Sequence, residues 1–277
     1  MLVSLPTIAF IGGGNMAASI LGGLIASGVD PSRLWASDPN PESLTALQAL
    51  APINTTANNA DAIAAADIVV LAVKPQIMAT VAKAIAPLLT DTQPLFISIA
   101  AGITSASLDQ WLGGKQAIVR CMPNTPALVQ TGATALFANN QVSDLQRQQA
   151  QHILEAVGIA MWVEQEAELD IVTAVSGSGP AYFFLVMEAM QAAGREMGLS
   201  AEVAEKLTLQ TALGAAKMAT QGGVDAAELR RRVTSPNGTT ERALGIFEEG
   251  DLRGLFLSAL TGAKLRSEEL AKELEDN

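Results

Sequence analysis

The chain has one cysteine, one histidine and one tyrosine in 277 residues, and aromatic residues make up only 4% of it. A lone Cys121 excludes an internal disulfide and fits a reducing compartment, so the expected location is the cytoplasm. One thiol and one imidazole are too few soft ligands for a dedicated zinc site, and no metal is expected. Positive charge is also scarce: 17 Lys and Arg against 28 Asp and Glu give a net charge of −11. That balance argues against nucleic acid or an anionic membrane as a partner. No charged residue stands before Asp30, yet the opening stretch does not read as a signal peptide or anchor. It lacks a basic leader, and Gly12–Asn15 interrupts the apolar run well short of membrane thickness. Nothing further along the sequence offers an uninterrupted span.

What is plentiful is small and apolar. Hydrophobic residues reach 49% with few aromatics, a composition that suits helices packed closely on a sheet. The length suggests two domains with ample core. The first half alternates apolar strands with helical stretches: Thr7–Ile11, Leu34–Asp38, Ile68–Ala72, Leu95–Ile99 and Ala117–Cys121. Continuous apolar strands separated by helices indicate a Rossmann-type, doubly wound parallel sheet covered on both faces. Thr134–Ala138 and Ile159–Val163 are expected as added edge strands around a helix over Ser143–Val157. From about Val163 the period becomes helical, with helices expected over Ala167–Val175, Pro180–Met197, Ser200–Gln221, Asp225–Val233, Thr239–Glu249 and Leu252–Glu275. Ser200 and Asp225 are the expected N-caps of two of these. The predicted domains are therefore 1–164, dinucleotide-binding, and 165–277, all-α. Pro180–Met197 is apolar around most of its circumference, which implies burial in a core or against a second subunit.

Two motifs carry chemistry. Thr7–Ile11 runs into Gly12-Gly13-Gly14-Asn15-Met16-Ala17 and then a helical stretch. Gly12 permits the tight turn, Gly14 lets backbone approach a pyrophosphate, and Ala17 lets the helix pack on the strand. Asp38 stands at the end of the second strand, where it either accepts from an adenine ribose or caps the next helix. In such sheets ligands gather at the carboxyl ends of the strands. Val73–Pro75, Ala100–Gly102 and Met122–Pro126 fall there. Lys74 either faces the cofactor or caps a strand edge; Asn124 either reaches a carboxamide or holds its own turn.

The second motif is Arg232-Val-Thr-Ser-Pro-Asn-Gly-Thr-Thr240. Pro236-Asn237-Gly238 is a turn sequence, and a helical pattern begins at Thr239. A turn that opens a helix leaves backbone N–H groups free at the positive end of the macrodipole. Thr234, Ser235, Thr239 and Thr240 surround that end with hydroxyls, four being more than a cap requires, so a small anion such as a carboxylate is the expected ligand. Arg230-Arg231-Arg232 precedes this loop and either draws in an anionic substrate, with at most one or two of its charges because they point in different directions along a helix, or is a solvated face.

Together, Ile11–Met16, Ala72–Pro75, Ser98–Gly102, Arg120–Pro126, Ser176–Tyr182 and Val233–Thr240 resemble, in order, the motifs of the pyrroline-5-carboxylate reductase family, from about residue 7 to about residue 270. The resemblance implies reduction of the cyclic imine 1-pyrroline-5-carboxylate to L-proline by NADPH or NADH. It also implies an intertwined homodimer in which one subunit's substrate loop faces its partner's cofactor domain. Carried over by position, Ser235, Asn237, Gly238, Thr239 and Thr240 would bind substrate, with Thr240 also near the ring nitrogen as the catalytic residue. Gly12, Gly13, Gly14, Asn15, Met16, Ser37, Asp38, Asn59, Ala72, Val73, Lys74, Pro75, Ala101 and Asn124 would line the dinucleotide. Asn237 replaces a commoner Gly and Gly13 a commoner Ala.

A protonated cyclic imine is electrophilic and takes its proton from water, so these motifs need hydroxyls and amides, not an acid–base pair. A ketone reductase would need a donor such as His152 or Tyr182, and neither is expected in the site. A sister dehydrogenase would need a helical-domain lysine; Lys206 and Lys217 both lie outside the loop motifs. A nonenzymatic nucleotide-sensing module would give the 232–240 loop no purpose.

Overall fold

The computed structural model describes residues 6–89 and 93–275. The first part contains β1 (Ile8–Ile11), α1 (Asn15–Ala26), β2 (Leu34–Ser37), α2 (Pro41–Gln48), β3 (Asn54–Thr56), α3 (Asn59–Ala64) and β4 (Ile68–Leu71). It continues with α4 (Pro75–Ile85), β5 (Leu95–Ser98), α5 (Ser105–Trp111), β6 (Ile118–Met122), β7 (Gly132–Ala138), α6 (Asp144–Glu155) and β8 (Gly158–Trp162). Helices follow: α7 (Glu168–Val172), α8 (Gly179–Glu196), α9 (Ala201–Gln221), α10 (Ala226–Arg232), α11 (Thr239–Glu249) and α12 (Leu252–Glu275).

All eight strands form one sheet in the order β3-β2-β1-β4-β5-β6-β7-β8. The pairs from β3 to β6 are parallel; β7 runs antiparallel to β6, and β8 runs parallel to β7. The α/β architecture is the expected one, and β7 and β8 extend the sheet beyond β6 as anticipated. At the opposite edge, β3 was not foreseen, because Asn54-Thr55-Thr56 is short and polar and carries no apolar run.

Successive side chains of a strand point to opposite faces, and both faces are buried. Ile8 and Phe10 pack with α1 and α6 through Ile20, Leu24 and Ile153. Ala9 and Ile11 pack with α3 and α4 through Ile63, Met78 and Ile85. Phe10 and Phe96 are fully buried, and truncating either to Ala would cost about 3–5 kcal/mol.

An ion pair between a buried arginine and a partly buried glutamate fixes the carboxyl end of the sheet. Arg120 of β6, 5% exposed, meets Glu166 at 3.2 Å. The two Glu166 oxygens also accept from the Ser105 N–H and hydroxyl, both at 2.6 Å. The partly buried carboxylate is therefore satisfied by three donors, and the buried Arg120 guanidinium has the counter-charge it needs.

The chain divides into two compact units, Met1–Ser178 with Gly262–Asn277, and Gly179–Thr261. Ser176–Pro180 does not break the helix as its glycines and proline suggested. Thr173–Gly177 forms a π-turn between α7 and α8, so Glu168–Glu196 winds on as one 29-residue helical stretch. By length and composition this stretch is apolar enough to cross a membrane, which corrects the expectation that no such span exists. The predicted caps are present in the helical unit: Ser200 accepts from the Val203 N–H and Asp225 from the Glu228 N–H.

Candidate active site

The glycine turn is assembled by β1, β2 and β4. Gly12 has φ +104, and a Cβ there would stand 2.7 Å from the Ala72 carbonyl oxygen and 3.1 Å from Val73 Cγ1. Its N–H donates to the Ser37 carbonyl at 2.8 Å. The chain must therefore be glycine at this point. Gly14 is the N-cap of α1, no side chain caps it, and no acidic residue lies in the first turn. The N–H groups of Asn15, Met16 and Ala17 at that helix start lack intrahelical acceptors. Nothing lies within 4 Å of a Cβ built on Gly14. The space, the free N–H groups and the helix dipole together fit a pyrophosphate.

At the end of β2, Ser37 is buried and donates to Asn59 Oδ1 at 2.7 Å. Among the described residues the Asn59 amide nitrogen has no acceptor. Asp38 does not cap α2; Asn40 does, accepting from the Glu42 N–H. Instead, Asp38 Oδ2 accepts from the Gly13 N–H at 2.7 Å and Oδ1 from the Asn40 N–H at 2.8 Å. This carboxylate binds the glycine turn itself, a partner that sequence spacing did not suggest. Lys74 is the N-cap residue of α4, directly before Pro75, and its side chain is exposed.

Ala101 and Gly102 follow β5 and, with Pro75, Gln76, Thr173 and Ser178, line a cavity of ≈ 280 Å³. Asn124 is 8% exposed. Its Oδ1 accepts from the Ala133 N–H at 2.9 Å, and its Nδ2 donates to the Ser176 carbonyl at 3.0 Å. It is a strut between the end of β6, the start of β7 and the π-turn.

The hydroxyl loop lies in the helical unit. Asn237 has φ +57, the left-handed conformation that Asn tolerates. The Gly238 N–H closes a turn onto the Ser235 carbonyl at 3.0 Å, and Gly238 is the N-cap of α11 without a side-chain cap. Ser235, Thr239 and Thr240 are exposed, and among the described residues their hydroxyls have no hydrogen-bond partner; Thr234, expected with them, instead donates its hydroxyl to the Arg230 carbonyl at 2.6 Å. One residue escaped the sequence reading. Glu241 in the first turn accepts from the Asn237 N–H at 2.7 Å.

The three arginines are otherwise engaged. Arg231 and Arg232 both meet Glu228 at 2.7 Å, which holds the Glu228 carboxyl below the usual carboxylate range, Arg231 contributing most. Arg230 lines a separate cavity of ≈ 430 Å³ with Leu244, Phe247, Leu252 and Phe256. That cavity holds none of the candidate residues, and its apolar walls belong to the exposed face of the unit. Lys206 is ion-paired to Glu202 on a helix surface, and His152 lies in the last turn of α6. Among the described residues no group of three His, Cys, Asp or Glu could hold a metal ion.

Comparison with known proteins gives this geometry its context. Residues 166–270 match the family model described as pyrroline-5-carboxylate reductase dimerisation, and residues 7–102 match that of NADP oxidoreductase, coenzyme F420-dependent. The pyrroline-5-carboxylate reductase of Pseudomonas aeruginosa is 56% identical over 272 residues, covering 98% of this chain and 99% of that protein. The chain belongs to the pyrroline-5-carboxylate reductase family. Among solved structures, the family's enzyme from Coxiella burnetii superposes with a TM-score of 0.93 at 46% identity, covering 96% of this chain and 98% of the other. The pyrroline carboxylate reductase of Plasmodium falciparum, with NADP bound, superposes at 0.84 and 29% identity over 97% and 99% of the two chains. The segment matched by the dimerisation model is also where apolar side chains stand open, with Phe183 69%, Leu257 71% and Met197 82% exposed.

Proposed function

We propose that this chain reduces 1-pyrroline-5-carboxylate to L-proline with NADPH or NADH, the last step of proline synthesis. The carrying observation is the start of α11, an uncapped helix N-terminus ringed by three hydroxyls without partners. Such a start binds one carboxylate through backbone N–H groups and hydroxyls. In this reading Ser235, Thr239 and the turn at Asn237–Gly238 hold the substrate carboxylate, and Thr240 Oγ1 sits by the ring nitrogen, where it orients the imine. The start of α1 holds the pyrophosphate, Ser37 and Asn59 meet the adenosine ribose, and Val73–Pro75 with Ala101 wall the remainder. Asn124 supports that wall through its backbone contacts. The dinucleotide, when bound, supplies the hydride. No residue of the site acts as a proton relay; the imine arrives protonated from water, and the rate comes from positioning.

The helical unit completes the reading. Its exposed apolar face is far larger than scattered surface hydrophobics require, and burial in a homodimer accounts for it better than a bilayer, because the dimerisation match covers the same residues. The cytoplasm is the proposed location.

The test is steady-state oxidation of NADPH and NADH with 1-pyrroline-5-carboxylate, on the wild type and on Thr240→Ala. We expect turnover with at least one cofactor and a loss of about 100-fold in kcat/KM in the variant, the size of effect expected for a positioned polar contact at the reacting centre. Absence of turnover in protein that still binds dinucleotide would overturn the substrate assignment.

A further inference from the structure

We propose that Glu241 is a positioning residue that holds the substrate loop in shape while its charge limits how tightly the loop binds its anion. The proposal rests on the reading above that this loop binds a carboxylate. Glu241 is the third residue of α11, and its Oε2 accepts from the Asn237 N–H at 2.7 Å. In a standard capping box the third helical residue reaches back to the N-cap N–H. Here it reaches one residue further, because the N-cap N–H of Gly238 is already bonded to the Ser235 carbonyl at 3.0 Å. The bond fastens the left-handed Asn237, φ +57, to the helix that follows.

The same carboxylate lies at the helix start whose remaining N–H groups, those of Thr239, Thr240 and Glu241, receive the substrate. Two anions then share one N-terminus. Arg231 and Arg232 are bonded to Glu228, Arg230 faces a cavity elsewhere, and among the described residues no cation forms an ion pair with Glu241. At a separation of several ångströms near a surface, two like charges repel by enough to change affinity several-fold. The anchoring and the repulsion come from one side chain, so different substitutions separate them. Glu241→Gln keeps an oxygen that accepts from Asn237 and removes the charge. Glu241→Ala removes both.

The experiment measures kcat and KM for 1-pyrroline-5-carboxylate in wild type, Glu241→Gln and Glu241→Ala at low salt and at high salt, with KM for the dinucleotide as the control. We expect Glu241→Gln to lower the substrate KM about three- to tenfold at low salt, with kcat within about twofold. The gain should shrink at high salt, where the wild-type repulsion is screened. Glu241→Ala should lose that gain, with KM at or above the wild-type value, because the turn is no longer fastened. KM for the dinucleotide should not move. An unchanged or raised KM in Glu241→Gln would overturn the charge effect, and equal KM values in the Gln and Ala variants would overturn the anchor. Wild-type protein without turnover would instead remove the underlying substrate reading, an outcome separate from either of these.

Discussion

The starts of α1 and α11 are built alike up to one point. Each has an extended glycine as N-cap, Gly14 with φ −74 and ψ −179, Gly238 with φ −88 and ψ 173, and neither glycine is capped by a side chain. In each, the N–H just before the cap is taken by a carboxylate at 2.7 Å, Asp38 on Gly13 and Glu241 on Asn237. The difference is where the carboxylate comes from. Asp38 arrives from the end of a neighbouring strand and is held a second time by the Asn40 N–H, so the sheet sets the first turn. Glu241 comes from the same helix, so the second turn is held only by its own next residues. A fixed turn can present backbone to a large, invariant group such as a pyrophosphate. A locally held one is adjusted by single substitutions within its own helix.

The largest effect should come from attacking the sheet-set turn. Gly12→Ala places a Cβ against the Ala72 carbonyl and forces a positive φ on alanine, costing about 1–3 kcal/mol of strain. We expect kcat/KM with NADPH to fall by about 100-fold or more and the melting temperature to drop by several degrees. The counterpart, Asn237→Gly, keeps the left-handed residue and should leave both within about twofold and about 2 °C. Equal damage at the two positions would end the distinction.

Next comes aspartate at the two caps. Beyond Gly14 there is open space, whereas a Cβ on Gly238 would stand 3.0 Å from the Ser235 carbonyl oxygen. Gly14→Asp should stabilise α1 by about 0.5 kcal/mol as a charged N-cap. It should also raise the dissociation constant of NADPH about 30-fold by filling and charging the proposed phosphate site. Gly238→Asp should gain less, because its Cβ would press on the Ser235 carbonyl oxygen and the turn would have to shift by a few tenths of an ångström. Thermal unfolding and fluorescence titration of NADPH check both, and a stability loss in Gly14→Asp would mean that the space is not free.

A smaller change is expected from Asp38→Asn. The amide retains one acceptor for the turn and removes a negative charge beside the proposed ribose contacts of Ser37 and Asn59. The ratio of kcat/KM for NADPH to that for NADH should rise about fivefold, mostly through the NADPH KM. A falling ratio would mean that Asp38 helps to place the 2′-phosphate.

How much of this was legible in the sequence depends on how local each interaction is. The strand–glycine–helix unit, the Ser200 and Asp225 caps and the left-handed Asn237 were readable, because turn chemistry is decided within a few residues. The strand β3 was not, since Asn54-Thr55-Thr56 owes its conformation to pairing with β2 and not to its own pattern. The π-turn was hidden because Gly177, Gly179 and Pro180 look like a break, while the Ser178 N–H donates to the Thr173 carbonyl at 2.8 Å and carries the chain through. Arg120 with Glu166 lies 46 residues apart in the sequence, and nothing local connects them. Glu241 was hidden for the opposite reason: an acidic residue in the first turn of a helix is so ordinary that its reach to Asn237 draws no notice.

The finest test of the comparison concerns the surroundings of the second turn. Glu228 binds Arg231 and Arg232 and so withholds two cations that the sequence places beside the proposed anion loop. Glu228→Gln should release them, raise the local positive potential and lower the substrate KM about twofold at low salt, with no change at high salt. Hydrogen bonds from Arg231 and then Arg232 hold the Glu228 carboxyl below its ordinary value of 4.5. A depressed carboxyl contributes stability that is present above its unfolded pKa and is lost only as pH falls through the lower, folded one. The pairs are therefore intact throughout pH 6–9, and the twofold effect should be flat across that range. An effect that appears only toward one end of it would point to a different titrating group and would detach the arginines from the loop's affinity. A flat, salt-sensitive twofold shift, smaller than that of Glu241→Gln, would place the dominant charge on the turn itself and the weaker influence one helix away.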